Sequence, residues 1–471
     1  MVKKNISKLK DGQKQLEKER YFPFSKALAW LFLLGFLALL PYIYYRMEII
    51  NSGMMNERYI KYFIFALAGI FFWTLVLNLK EEIRNNILMM VGSLVIGLYL
   101  VEALLELRPG ELDSHSGLEV LQDLIEQGVD AYPTVVPSHF MHQGGLPKAE
   151  AKLLFPFGGI SEKTTVFCSE SGPHVIYASD RYGFNNPDLM WNSEQIEWLL
   201  TGDSFIQGAC VEPDDNIAGQ IRLLTSESVA NLGASGNGPL VELAVLKEYA
   251  EPVSPKKVLW FYYEGNDLIM DLSTEKDIPL LMQYLQRGFS QNLIRQQGEI
   301  DSRLATYVLE SKDEARRNAF NHKTRWLRLF AVRSLLSFSE KTAWLDFSGY
   351  AGEPVLDPVF ASILTAANDR TKAWGGEFYF IYLPEFLRYK TNVDHNLFRK
   401  RNEVIELVEK LNIPVIDIHK EVFSGHADPL SLFPLRRYGH YTSDGYSRVA
   451  KAIVTTISNK GAMPSEQITI P

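Results

Sequence analysis

The chain has 471 residues and a formal net charge of -8, with 46% hydrophobic and 12% aromatic residues. Apolar content on that scale excludes disorder as the default state and leaves room for a sizeable core plus membrane segments. A mild acidic excess without a long basic block provides no phosphate-binding footprint, so nucleic acid is not an expected partner.

Residues 1–24 form a basic tail that holds Lys3, Lys4, Lys8, Lys10, Lys14, Lys18 and Arg20. Three apolar runs follow within residues 25–106: Ala27 to Tyr45, Tyr62 to Leu79 and Ile87 to Leu105. Each nears the roughly 20 residues that a helix needs to cross the hydrocarbon core. The polar tail, the lack of a small-residue cleavage site and the further runs argue against a cleaved signal peptide. Positive-inside bias puts the tail in the cytoplasm, and three crossings then place the rest of the chain, beyond about Glu106, in the periplasm or outside the cell. Spans without intramembrane charges offer no ion path, so they read as an anchor in contact with lipid, and as a docking surface for other membrane proteins.

Residues 107–195 read as a linker and edge segment. An amphipathic helix is expected around Leu118 to Gln127, and the stretch from His174 to Asp188, HVIYASDRYGFNNPD, reads as a strand and a loop. Cys168 and Cys210 are the two cysteines, without CxxC spacing or a histidine cluster, which argues against zinc. Either they pair outside the cytoplasm or they remain buried thiols. No metal or organic cofactor is expected.

From Ile196 to about residue 460, short apolar strands alternate with helical patterns: IEWLLT, SVANLG, KVLWFYY, EFYFIYLP and IPVIDI. Continuous apolar runs of this length suit a parallel sheet covered on both faces, which implies a doubly wound α/β domain. A helical insertion over about 271–347 interrupts it, with a basic set at Arg316, Arg317, Lys323, Arg325, Arg328 and Arg333 that reads as a solvated face or a contact for lipid headgroups or an anionic glycan. A short tail, 461–471, ends the chain.

Four segments of this domain carry chemistry. In LLTGDSFIQG, Leu199 to Gly208, a strand ends at Ser204 and a helical pattern begins, which exposes a serine at the carboxyl edge of the sheet. Its N–H at a helix start can donate to a developing oxyanion, although a serine there also serves as a helix cap. NLGASGNGP, Asn231 to Pro239, offers Gly236 in a turn that lets main chain approach a carbonyl. YYEGNDL ends a strand with Asn266, whose amide is a further oxyanion donor, and RRYGHYTSDGY places His440 just before a terminal amphipathic helix.

In this order the four segments resemble the blocks of the SGNH/GDSL hydrolases, over approximately Ile196 to Ile457. The resemblance implies a flavodoxin-like sheet, Ser204 as nucleophile, Ser204, Gly236 and Asn266 as oxyanion donors, and His440 as base. YASDRYGFNNPD resembles, more loosely, members associated with bacterial surface polysaccharides. The chain departs from the pattern three positions before the histidine, where Arg437 stands in place of an acid. Asp428 in HADPLSLFP is the leading substitute, and Asp444 reads as part of the turn that starts the last helix. The expected activity is hydrolysis or transfer of an O-acetyl or other acyl ester on a cell-surface or exported glycan. The alternative, which Arg437 favours, is an inactive glycan-binding or scaffold component of a membrane polysaccharide machine.

Overall fold

The computed structural model describes residues 24–50, 56–106, 117–147, 153–323, 327, 329, 356–390 and 400–461. The basic tail, and the side chains of Arg316, Arg317, Lys323, Arg325, Arg328 and Arg333, lie outside the described part. The chain divides into two units, a helical one built on residues 24–106 and an α/β one built on residues 117–318 and 356–461.

The helical unit contains α1 (Phe24–Tyr45), α2 (Asn56–Asn78) and α3 (Glu81–Glu106). All three are long and apolar enough to cross a membrane. Large apolar side chains such as Leu31, Phe65, Phe71, Met89 and Leu100 face outward, a surface that suits lipid rather than water. Phe32 and Trp73 stack at 4.5 Å to hold α1 against α2. Two charges modify the expectation of charge-free spans. Arg84 is buried at the start of α3, where it donates to the Ser25 hydroxyl at 3.2 Å and the Leu79 carbonyl at 3.2 Å. Glu102 is buried in the last turns of α3, near a helix end where a charge need not sit at mid-membrane.

In the α/β unit the five apolar runs form β6 (Trp198–Thr201), β7 (Val229–Asn231), β8 (Lys257–Tyr263), β9 (Glu377–Leu383) and β10 (Val415–Asp417). They pair in parallel in the order β10-β9-β8-β6-β7. Side chains on the two faces enter different cores. Leu199, Trp260 and Phe380 pack with α7 (Pro239–Val245), α9 (Pro358–Ala373) and α10 (Lys400–Lys410), whereas Leu200, Leu259 and Ile381 pack with α6 (Ile217–Thr225) and α11 (Ser443–Gly461). The chain leaves β6 toward β7 and returns past it to β8. That reversal opens a crevice at the carboxyl ends of β6 and β8, where the strand order favours ligand binding.

Residues 117–195 are more than a linker. They form α4 (Gly117–Glu126), the strands β1 (Ala131–Pro133), β4 (Thr164–Val166) and β5 (Ile176–Ala178) in one small sheet, and the pair β2 (Leu146–Pro147) with β3 (Leu153–Leu154). Phe140, Phe155, Phe157 and Phe184 from this segment enter the same core as Leu199 and Trp260. The insertion adds α8 (Gln297–Lys323), whose Ile300, Leu304 and Val308 reach that core too.

Glu275 ties the insertion to the sheet. Its buried carboxylate accepts the N–H groups of Gly238 at 2.6 Å and Leu240 at 2.8 Å, which caps α7. Burial nevertheless raises this carboxyl from 4.5 to about 7. The folded chain therefore keeps a proton that the unfolded chain has already lost, and this contribution to stability declines as pH rises from about 4.5 to about 7. Across that window the full-length protein in detergent is expected to lose on the order of 3 kcal/mol relative to Glu275→Gln. Thermal unfolding of both proteins from pH 4.5 to 7.5 checks this, and equal pH slopes would contradict it.

Candidate active site

The serine turn begins where β6 meets Gly202. A Cβ there would stand 2.4 Å from Ile206 and 3.1 Å from Phe261, so glycine alone lets the strand close into the turn. Asp203 follows as the cap of α5 (Ser204–Gln207), its carboxylate accepting the Phe205 N–H at 2.9 Å. The amide of Asn266, just beyond β8, donates to the other Asp203 oxygen at 3.3 Å. Burial pushes the Asp203 carboxyl upward. Ser204 is thus the first residue of a capped helical turn, and Asn266 is fastened to the residue before it.

The Gly236 loop is fixed to the same turn. Gln207 accepts both the N–H and the hydroxyl of Ser235, at 2.8 and 2.7 Å, and the Ala234 N–H reaches the Gly202 carbonyl at 3.3 Å. Gly236 has φ +75°, and a Cβ there would lie 2.8 Å from Ser138 Cβ, so both conformation and space require glycine.

YASDRYGFNNPD turns out to brace this arrangement. Buried Asp180 accepts the N–H groups of Tyr182 and Phe184, the Asn186 amide and the Trp191 indole, all at 2.8 to 2.9 Å. Asn185 donates to the Gln207 carbonyl at 2.9 Å, and Asn186 bonds both the N–H and carbonyl of Asn231, each at 2.8 Å. Asn231 in turn donates to the Ile206 carbonyl at 2.6 Å. Asp180, Asn185 and Asn186 are buried and committed inward to the site, whereas Arg181 of the same motif is partly exposed and pairs with Asp188 at 2.7 Å.

His440 lies between β10 and α11 and rests on the Phe205 ring, 4.8 Å between centroids. Its Nε2 is 2.8 Å from Ser204 Oγ, and its Nδ1 is 2.7 Å from an oxygen of Glu170. The second Glu170 oxygen accepts the His440 backbone N–H at 3.0 Å. The acid at the imidazole is therefore Glu170 and not Asp428. Asp428 sits in an exposed loop and is held by the guanidinium of Arg436 through a two-bond pair. Asp444 pairs with Arg448 in the first turn of α11 at 2.9 Å.

Glu170 escaped the sequence reading because it stands at the tip of the β4–β5 hairpin, in a stretch without periodicity. The signal pointing to it is covalent: Cys168 and Cys210 form a disulfide, two residues from Glu170 and six from Ser204. Glu170, Cys210 and His440 each put one ligand-type atom within 4.8 Å of the others. Metals take a thiolate, and the Cys210 sulfur is consumed in the disulfide, so the donor set does not fit a resident ion. What remains is a hydroxyl, an imidazole and a carboxylate in line, with a main-chain turn and an amide carried alongside.

No known protein family matches the chain by sequence, and no curated protein does. In structure the chain is similar to a member of the lipolytic protein G-D-S-L family from Veillonella parvula DSM 2008, with 13% identity and a TM-score of 0.30, covering 56% of this chain and 98% of that one. It is also similar to the lipase/acylhydrolase from Enterococcus faecalis, with 14% identity and a TM-score of 0.29, covering 56% and 97%. A two-domain esterase active on acetylated mannans shows 11% identity and a TM-score of 0.28, covering 60% and 54%. Values this low say nothing of substrate or activity.

If Glu170 orients the imidazole, Glu170→Gln should lower kcat for an activated ester by about 10²- to 10⁴-fold, the cost of losing the orienting carboxylate. Asp428→Asn should stay within about twofold of wild type, because an exposed ion pair contributes little. Steady-state kinetics on the two variants check this, and a reversed order of effects would restore Asp428.

Proposed function

We propose that this protein is a membrane-anchored SGNH/GDSL-type serine esterase or O-acyltransferase. The observation that carries the reading is the unbroken line from Glu170 through His440 to Ser204. With Nδ1–H donated to Glu170, Nε2 is left as the acceptor that removes the Ser204 proton. Ser204 Oγ then attacks the acyl carbon, and the tetrahedral oxyanion takes hydrogen bonds from the N–H groups of Ser204 and Gly236 and from the Asn266 amide. His440 gives its proton to the departing alkoxide. Water or a sugar hydroxyl, deprotonated by the same imidazole, releases the acyl group from Ser204.

An O-acetyl ester on a cell-surface or exported glycan is the proposed substrate. Two sequence features support it: a basic tail whose positive-inside bias argues for an α/β unit outside the cytoplasm, and apolar helices long enough to tether the chain to a membrane. The feature that favoured an inactive scaffold loses its weight, because Glu170 occupies the position that Arg437 leaves without an acid.

Full-length protein in detergent should hydrolyse p-nitrophenyl acetate, and Ser204→Ala should lower kcat by about 10⁴-fold or more. Adding an oligosaccharide acceptor separates the two branches: acetylated sugar marks a transferase, free acetate alone an esterase. Turnover that survives Ser204→Ala would overturn the reading.

A further inference from the structure

We propose that the Cys168–Cys210 disulfide is the positioning element of this active site: it holds Glu170 against His440, and its reduction by a dithiol disengages the acid and slows turnover. The inference rests on the catalytic reading above and concerns what keeps that reading's geometry in place.

Glu170 occupies an unusual place for an orienting acid. It stands neither on a sheet strand nor on the loop before the histidine but at the tip of a hairpin, in a segment outside the parallel sheet. The hairpin ladder runs through Thr164–Val166 paired with Ile176–Ala178, and continues in the main-chain bonds between Phe167 and Val175 at 2.9 Å and between Val175 and Cys168 at 3.0 Å. Past Cys168 the strands part. Gly172 and its neighbours Ser171 and Pro173 are exposed, and Glu170 itself retains about a quarter of its side-chain surface. Ordering such a tip costs conformational entropy, which the Ser169 hydroxyl on the Gly172 carbonyl and two hydrogen bonds to His440 must otherwise offset.

The disulfide removes that freedom at the point where it matters. Its Cα atoms are 5.0 Å apart, joining the foot of the hairpin tip to the residue that follows the serine turn, across 42 residues of sequence. Cys210 lies two residues past Gly208, which closes α5 with φ +87°. The Cys210 sulfur stands within 4.8 Å of a Glu170 oxygen and a His440 nitrogen, so the bridge runs beside the imidazole and not at the far end of the hairpin. It therefore links the segment that carries the acid to the segment that carries the nucleophile. Gly439 completes the fit, since a Cβ there would lie 2.8 Å from the Glu170 carboxylate.

Reduction breaks the sulfur–sulfur bond and delivers two electrons and two protons to yield thiols at Cys168 and Cys210. The dithiol becomes a disulfide, as in ordinary thiol–disulfide exchange. No step of ester cleavage uses the sulfurs. Their effect on the reaction passes entirely through Glu170, and this distinguishes the proposal from a general stabilising role for the bridge.

The test uses full-length protein in detergent with p-nitrophenyl acetate, comparing oxidised wild type, wild type reduced with the dithiol dithiothreitol and desalted, Cys168→Ser/Cys210→Ser, and Glu170→Gln in the oxidised and cysteine-free backgrounds. Reduction, or loss of both cysteines, is expected to lower kcat by about 10- to 100-fold with KM little changed, below but in the direction of the loss from removing the acid itself. Glu170→Gln should cost far less in the cysteine-free protein than in the oxidised one, because interactions that act as a unit are not additive. Reoxidation with glutathione disulfide should restore the rate.

Unchanged kcat on reduction, or a Glu170→Gln loss of equal size in both backgrounds, would overturn the proposal while leaving the serine mechanism intact. Should the cysteine-free protein fail to fold, reduction and reoxidation of the wild type decide the matter alone. Absence of any Ser204-dependent turnover in oxidised protein would remove the catalytic reading and this proposal with it.

Discussion

A hydroxyl becomes a nucleophile near neutral pH only when a base is held on its proton and the base's own ring is held by something else. Ser204, His440 and Glu170 meet that requirement within 2.8 and 2.7 Å, although 270 residues separate the acid from the histidine. The turn after β6, the loop before α11 and the β4–β5 hairpin tip must all arrive together for the line to exist. Each of the three segments is accordingly locked from outside the line: by the Asp203 cap and Gly202, by the packing of His440 on Phe205, and by the disulfide at Cys168.

Two kinds of buried polar group surround the site. Asn185, Asn186, Asn231 and Gln207 form a network that answers main-chain groups of the serine turn and the Gly236 loop, and Asp180 holds Asn186 and the main chain of its own turn in place. Buried networks of this kind fix a single geometry, because any shift would strand a donor or acceptor away from water. Glu242, Asp267 and Asp271 are different: each keeps side-chain oxygens without a partner among the described residues. Burial first, and then the like charges around them, push all three carboxyls well up. Both effects favour the protonated forms of these carboxyls over a cluster of buried negative charges near Asp203.

The sheet was legible in the sequence because strands buried on both faces must be apolar throughout, and IEWLLT, KVLWFYY and EFYFIYLP have no other comfortable state. Ser204 and His440 were legible because each sits in a turn beside the end of such a strand or the start of a helix, where a residue with a reactive side chain stands out. Glu170 was not, since nothing local marks a hairpin tip as catalytic and the information that brings it to His440 lies in the pairing of two distant cysteines. Asp428 was a reasonable substitute by proximity in sequence. A competing cation at Arg436, eight residues on, claims it instead, and loop proximity carries no information about which of two partners wins. The segment 117–195 read as a linker because its strands are two or three residues long, too short for any period to show.

The most direct measurement of the account is peptide mapping by mass spectrometry after a fluorophosphonate reacts with the oxidised full-length protein in detergent. Attack by an activated hydroxyl on phosphorus predicts one covalent adduct, carried on Ser204 and lost when His440 is replaced by alanine. An unlabelled protein, or an adduct on a different residue, would contradict the claim that this hydroxyl and this imidazole work as a pair.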